Sequence, residues 1–203
     1  MLKFNRNILA GACLLFAAGP SLLAQNNTAE IFGGYSYAKA NPEVPLPKQN
    51  MHGWVGSVSG YANSWFGAGV EIAGQFGMLP PPSGVSAPDL SFKIYSYMAG
   101  PQFRYLNTKK VQSNVKILLG GAFGQVAPDS KTTADQSQAL GAVGYTGYNQ
   151  TKFAALVAVP VDVTVSRLLA IRVEPGLWLT DFSKTKQGNF RFSVGPVFRF
   201  GAR

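Results

Sequence analysis

Apolar and polar residues alternate along most of this chain, in segments long enough to cross a bilayer as tilted strands. The clearest segment is the last. Phe190, Phe192, Val194, Pro196, Phe198 and Phe200 share one parity, and Arg191, Ser193, Gly195 and Arg199 share the other. A period of two puts the two sets on opposite faces of a sheet. Residues 169–180 repeat the pattern, with Ile171, Val173, Leu177 and Leu179 set against Arg172, Glu174 and Thr180. In 152–165, Phe153 and the valines 157, 159, 161, 163 and 165 oppose Asp162 and Thr164. Residues 114–126 set Val115, Ile117, Leu119 and Phe123 against Asn114, Lys116 and several glycines. In 92–106, Tyr95, Tyr97, Phe103 and Tyr105 lie opposite Ser96, Gln102 and Arg104. In 65–77, Phe66, Val70, Ile72 and Phe76 lie opposite Glu71 and Gln75. Two glycine-rich, less sharply patterned segments, 29–39 and 52–62, bring the expected strands to eight.

Helices do not compete well. Glycine interrupts every three-to-four-residue apolar period, and Val159-Pro160-Val161 and Gly195-Pro196-Val197 would break a helix interior. Proline also costs a strand a ladder hydrogen bond, so these two sites predict bulges or irregularities. The connections add independent information. Asn41–Asn50, Met78–Ser91, Pro128–Gln150 and Ser183–Asn189 alternate with links at Asn63-Ser64, Asn107–Ser113 and Ser166–Leu168 that are short, although Ser183–Asn189 is no longer than Asn107–Ser113. Short turns on one side and long loops on the other are what a membrane barrel with both ends in the periplasm requires. The expected fold is all-β: an eight-stranded antiparallel up-and-down transmembrane β-barrel.

Residues 1–24 read as a separate module. Lys3 and Arg6 precede the apolar run Ile8–Ala18, and Gly19-Pro20 breaks the segment before Leu22-Leu23-Ala24. This predicts a signal peptide cleaved after Ala24 and a barrel domain over 25–203. Cys13 leaves with it, so the mature chain has no thiol for a disulfide, a metal or nucleophilic attack.

Composition agrees with a membrane barrel. Charged residues are 13% of the chain, about half the ~25% usual for soluble domains. Removing Lys3 and Arg6 takes the net charge from +9 to +7. Nucleic acid is not the expected partner, because no basic run exceeds Lys109-Lys110 and no nucleic-acid module is present. Phosphates of lipopolysaccharide are the expected acidic neighbours.

The last strand also carries a motif. Ser193-x-Gly195-x-x-Phe198-x-Phe200 resembles the terminal-strand signal of the eight-stranded outer-membrane barrels, the broad OmpA-like and OmpX-like group. Gly201-Ala202-Arg203 follow it, whereas members often end on the aromatic itself. Met98–Tyr105 echoes Ser193–Phe200 through a shared Gly-Pro-x-Phe core. The resemblance implies a bacterial outer-membrane location, outer-membrane lipid and lipopolysaccharide as surroundings, and assembly-machinery recognition of Ser193, Gly195, Phe198 and Phe200. A monomer is expected. Because the chain stops three residues past the last strand, the peptidoglycan-tethering role of full OmpA-like proteins is not carried over.

An eight-stranded barrel is filled by side chains rather than open as a channel. The expected lumen set is Glu30, Glu71, Asp162 and Glu174 with Arg104, Lys116, Arg172, Arg191 and Arg199. Near-balanced charge at membrane depth predicts an ion-pair network plugging the bore. The expected role is therefore non-enzymatic: envelope integrity, or surface interaction through the long loops. A narrow porin-like pore is the alternative, and a secreted soluble barrel holding a small apolar ligand is a further one. A lipid A-modifying enzyme would need a histidine base near a serine or carboxylate. The one histidine, His52, is expected at the outer end of strand two, with Asp129-Ser130 on the same side, but no His-x-Ser pattern follows it. One histidine and scattered carboxylates predict no metal site, and no cofactor is expected. Tyr35, Tyr37, Trp54, Trp65, Tyr105 and Phe182 are the expected interfacial girdle residues.

Overall fold

The computed structural model describes residues 29–40, 49–79, 90–128, 148–181 and 187–201. The expected signal peptide and its cleavage site lie outside these residues, as do Phe182, Asp129 and Ser130. The described residues form nine strands: β1 Ala29–Ala40, β2 Gln49–Tyr61, β3 Phe66–Leu79, β4 Leu90–Asn107, β5 Val111–Pro128, β6 Tyr148–Ala158, β7 Val161–Thr164, β8 Leu169–Thr180 and β9 Gln187–Phe200. β6 and β7 together make one stave, since both pair with β5 on one side and β8 on the other. Val159-Pro160 separates them, at one of the two prolines expected to disturb a strand. Each remaining strand pairs antiparallel with its sequence neighbour, and β9 pairs with β1 to close the wall. The result is an eight-staved barrel.

Register fixes the shape of the wall. Starting at Ala29, the paired positions run through Gly60, Ala68 and Pro101, which falls opposite Ile117. They continue through Val157, Leu177 and Phe190, and return to β1 at Lys39. The circuit is therefore staggered by ten residues. With ~3.3 Å of rise per residue and ~4.8 Å between strands, that stagger tilts the strands by about 40°.

All three described turns lie at one end and are tight. Asn63 Oδ1 accepts from the backbone of Trp65 (3.0 Å) and Phe66 (2.7 Å). Thr108 and Val111 bond reciprocally, and Val165 and Ser166 N–H groups donate to the Leu169 carbonyl at 2.9 Å. The strands run further into the links than expected, taking in 49–50, 78–79, 90–91, 128 and 148–150 at the long-loop end. β5 begins at Val111 and β9 at Gln187, so residues 111–113 and 187–189 belong to strands. Their backbones continue ladders with β4, β7 and β8, which outweighs their polar side chains.

The two Gly-Pro echoes have matching roles. Pro101 and Pro196 lack an N–H, and the β4–β5 and β1–β9 pairings both skip positions beside them. A Cβ on Gly100 would come within 2.1 Å of the Ile117 carbonyl oxygen, and one on Gly195 within 2.2 Å of that of Gly33. Glycine at both sites lets neighbouring backbones close where the ladder is interrupted.

Outward positions are apolar along the wall, including Ile31, Val58, Val70, Ile72, Leu119, Val157, Leu177 and Phe198. Tyr35 and Trp54 lie exposed toward the long-loop end, and Trp65 and Tyr105 toward the short-turn end. Trp65 stacks on Phe103 with 6.2 Å between centroids. The aromatic faces are thus on the outside of the barrel, and the polar parity lines its interior.

Candidate functional site

Parity alone dictates which side chains enter the bore, and closure decides which of them meet. Eight of the nine charged residues expected there are buried inside the wall, and Arg104 is partly buried with its side chain turned into the bore. They form two separate clusters rather than one network.

The first cluster lies at the short-turn end. Glu30 accepts from Arg104 Nη2 at 3.0 Å and from Arg172 Nη2 at 2.8 Å. Asp162 receives a fork from Arg172, Nε to Oδ1 at 2.7 Å and Nη2 to Oδ2 at 2.8 Å. It also receives Arg199 Nη2 at 2.6 Å. The planar guanidinium suits this bidentate geometry. Arg104 sits 3.7 Å above the Tyr61 ring. The Tyr61 hydroxyl donates to Gln102 Oε1 at 3.2 Å and accepts from Asn114 Nδ2 at 3.0 Å, carrying the polar network across the bore.

The second cluster lies at mid-depth. Lys116 Nζ reaches Glu71 Oε2 at 2.6 Å and both oxygens of Glu174 at 2.8 and 2.7 Å. Arg191 Nη2 lies 2.6 Å from Glu71 Oε1 and 3.1 Å from Glu174 Oε1. Two acids thus share two bases. Above them Gln75 donates to Ser36 at 2.7 Å, and Ser193 contacts Ser36 at 3.1 Å.

Toward the long loops the bore changes character. Ala38, Met51, Ile94, Met98, Leu118, Ala122, Ala154, Leu156, Ala158 and Trp178 form one buried apolar cluster, with Phe92 packed against it. Trp178 is fully buried, and its indole N–H has no hydrogen-bond partner among the described residues. This apolar storey does not follow from a lumen set chosen by charge. Its signal is present in the parity: Trp178 shares a face with Arg172 and Glu174, and Leu118 shares one with Lys116.

The terminal-strand residues hold the closing seam. Ser193 is buried inside, Gly195 allows the close approach to Gly33 and Gly34, and Phe198 and Phe200 project outward. His52 points outward at the long-loop end, where its Nδ1 hydrogen-bonds the Tyr35 hydroxyl and its ring lies 5.4 Å from that of Tyr37. Among the described residues, no group of three or more His, Cys, Asp or Glu is placed to hold a metal.

No family model and no curated protein matches this sequence. Solved structures do match. Neisserial surface protein A (NspA) superposes with a TM-score of 0.59 at 15% identity, over 85% of this chain and 97% of its own. Ail, the attachment invasion locus protein of Yersinia pestis, gives 0.57 at 17% identity, over 87% of this chain and all of its own. The outer membrane protein OprG of Pseudomonas aeruginosa gives 0.51 at 10% identity, over 87% and 97%. The shared feature is the fold.

Proposed function

We propose that this chain, which has the fold of the eight-stranded outer-membrane β-barrels, resides in a bacterial outer membrane as a monomer and performs no chemistry. Its work is structural and interactive: a rigid, plugged barrel that supports the envelope and presents its outer loops as a binding surface. The carrying observation is the inverted layout of the wall. Residues such as Ile72 (55% exposed), Leu119 (55%) and Phe153 (58%) face out, while eight charged residues and the Arg104 side chain are buried in the bore. In water such an exterior would be a large aggregation-prone patch; in lipid it is the required surface. Lipopolysaccharide and outer-membrane lipid are its surroundings, and the outer-membrane assembly machinery reads Ser193, Gly195, Phe198 and Phe200 as the terminal signal.

Against a pore reading stand two ion-pair clusters and an apolar layer stacked along one narrow bore. An ion crossing it would have to break buried pairs and then shed its water among Trp178, Met51 and Ile94. Three measurements test the proposal. The folded chain should run as a heat-modifiable band in SDS, and a single unchanged band from a soluble periplasmic protein would refute the membrane placement. Planar bilayers should show no discrete conductance steps, and reproducible steps would restore the pore. Replacing residues 129–147 by a short turn should abolish surface adhesion or ligand capture while leaving the heat-modifiable band intact. Unchanged adhesion would remove the loop role.

A further inference from the structure

The nine paired charges of the bore do not balance, and the imbalance sits in one place. At mid-depth Lys116 and Arg191 meet Glu71 and Glu174, two bases to two acids. At the short-turn end Arg104, Arg172 and Arg199 share only Glu30 and Asp162. That cluster carries one positive charge too many. The remaining described acids are Glu71 and Glu174, which are already paired, and Asp181, which follows β8 at the long-loop end. Arginine keeps its proton at any ordinary pH, so the excess cannot be discharged by titration. A buried charge is costly unless something compensates it. Aromatic faces take up part of this one: Arg104 lies 3.7 Å above the Tyr61 ring, and Arg172 lies 5.3 Å from the centroid of Phe32.

Donors are left over as well as charge. Arg104 spends only Nη2 on a hydrogen bond, to Glu30. Arg172 Nη1 and Arg199 Nε are buried without a hydrogen-bond partner among the described residues, the latter 3.4 Å from Glu30 Oε1. Arg199 Nη1 donates to Thr164 Oγ1 at 3.3 Å, which leaves the Thr164 hydroxyl hydrogen to donate elsewhere. Arg104 and Arg199 are the members nearest the mouth. Their side chains are 5% exposed, against 3% or less for Arg172, Glu30 and Asp162. Around that mouth the exposed turn residues Lys109, Lys110 and Arg167 are basic, and no described turn residue there is acidic. A positive rim on a low-dielectric wall concentrates anions at the opening.

We infer that the short-turn mouth of the bore binds one small monovalent anion, of the halide class, between Arg104 and Arg199. Their unused N–H groups donate to it, with the Thr164 hydroxyl as a further donor. One negative charge brings the cluster to neutrality. The ion completes the plug and does not pass through it, because the mid-depth cluster and the apolar storey close the bore above. It is a structural ligand, and the stability of the barrel is linked to its concentration. This goes beyond the envelope role proposed above and needs only the closed wall.

The test uses the full chain refolded in micelles of a non-ionic detergent, with chloride exchanged for the bulkier gluconate at constant ionic strength. Above the dissociation constant, each tenfold rise in chloride should lower the unfolding equilibrium constant about tenfold, read from urea midpoints. Bromide should act as chloride does. Arg104→Gln, which leaves two acids and two bases, should make the midpoint indifferent to chloride, and Arg104→Lys should retain the dependence. Lys109→Gln/Lys110→Gln should retain it too, since exposed charges on the rim are screened by salt. The width of the chloride NMR line reads binding without unfolding. The parent and Arg104→Lys should broaden it until bromide competes, and this decides the matter even if Arg104→Gln does not fold. A folded parent that leaves the line sharp would overturn the site, as would a midpoint that gluconate raises equally. Dependence lost with Lys109 and Lys110 but kept in Arg104→Gln would also overturn it, by moving the anion to the rim. A parent without a heat-modifiable band refutes the membrane placement, whereas a parent that shows the band and ignores chloride refutes only this inference.

Discussion

The lower and upper halves of the bore solve the same packing problem with opposite chemistry. At the short-turn end and mid-depth, nine charged side chains pair with one another within two clusters, with buried Phe32, Ala170 and Val197 packed among them. Toward the long loops the same inward parity carries Trp178, Leu118, Leu156, Met98 and Met51. The apolar half gains stability from displaced water and close packing, and a lost side chain there costs in proportion to the cavity left. The charged half gains little net stability, because desolvation offsets most of the attraction. What it gains is mutual dependence: removing one partner strands the others in a low-dielectric bore. The barrel is tolerant at one end and unforgiving at the other.

Arg172→Leu should break this contrast most severely. Glu30 would lose one of its guanidinium partners and Asp162 its bidentate one, a penalty on the order of 3–5 kcal/mol. The expected outcome is loss of most of the heat-modifiable band, read by refolding yield and urea midpoint. A near-parental midpoint would show that water enters this end freely.

Trp178→Ala comes next, at about 3 kcal/mol, from the cavity opened in the apolar storey. The barrel should still close, with a lower urea midpoint and no conductance, because both ion clusters remain beneath it. Conductance in this variant would mean that the apolar storey alone seals the bore.

The mid-depth cluster offers a sharper comparison through a double-mutant cycle. Lys116→Met should destabilise by removing a partner from both Glu71 and Glu174, and adding Glu71→Gln should recover part of the loss. A coupling of roughly 2 kcal/mol is expected, since the double variant leaves Arg191 with Glu174 as a balanced pair. Additive losses would argue that the two residues do not share a dry site.

The smallest effect is expected at Trp178→Phe. It removes an indole N–H without a described partner and keeps most of the volume, so the urea midpoint should shift by less than about 1 kcal/mol. A loss as large as that of the alanine variant would reveal a polar partner for the indole.

How far the sequence speaks to these contrasts differs between strands. In β9 the alternation of Phe190, Phe192, Phe198 and Phe200 with Arg191, Ser193 and Arg199 leaves only one sensible face for lipid. β2 is less clear, and the structure shows why. It carries Met51 and Val55 inward and Trp54 and Val58 outward, so both faces are apolar and the period is blurred. The prolines were legible as disturbances but not as different ones. Pro160 ends a strand, while Pro196 stays within β9 and interrupts only the pairing with β1. The alternation of long and short links becomes cleaner in three dimensions, because residues 111–113 join β5 through a ladder that local composition does not reveal and leave a turn at 108–110.

By itself the sequence determined the number of staves, the alternation of faces and nine of the charges sharing the inward parity, because a two-residue period is a local property of each strand; Lys152, which also shares that parity opposite Ala122, was not in the expected set. Only the tertiary structure decided that the charges divide into two clusters, with Lys116 between Glu71 and Glu174 and Arg172 between Glu30 and Asp162. The same holds for the apolar storey around Trp178 and for the gathering of three guanidiniums around two carboxylates at the short-turn end. These depend on the depth of residues from different strands, and depth is set by the ten-residue stagger acquired when β9 closes onto β1. Stagger is a property of the closed ring and of no single strand.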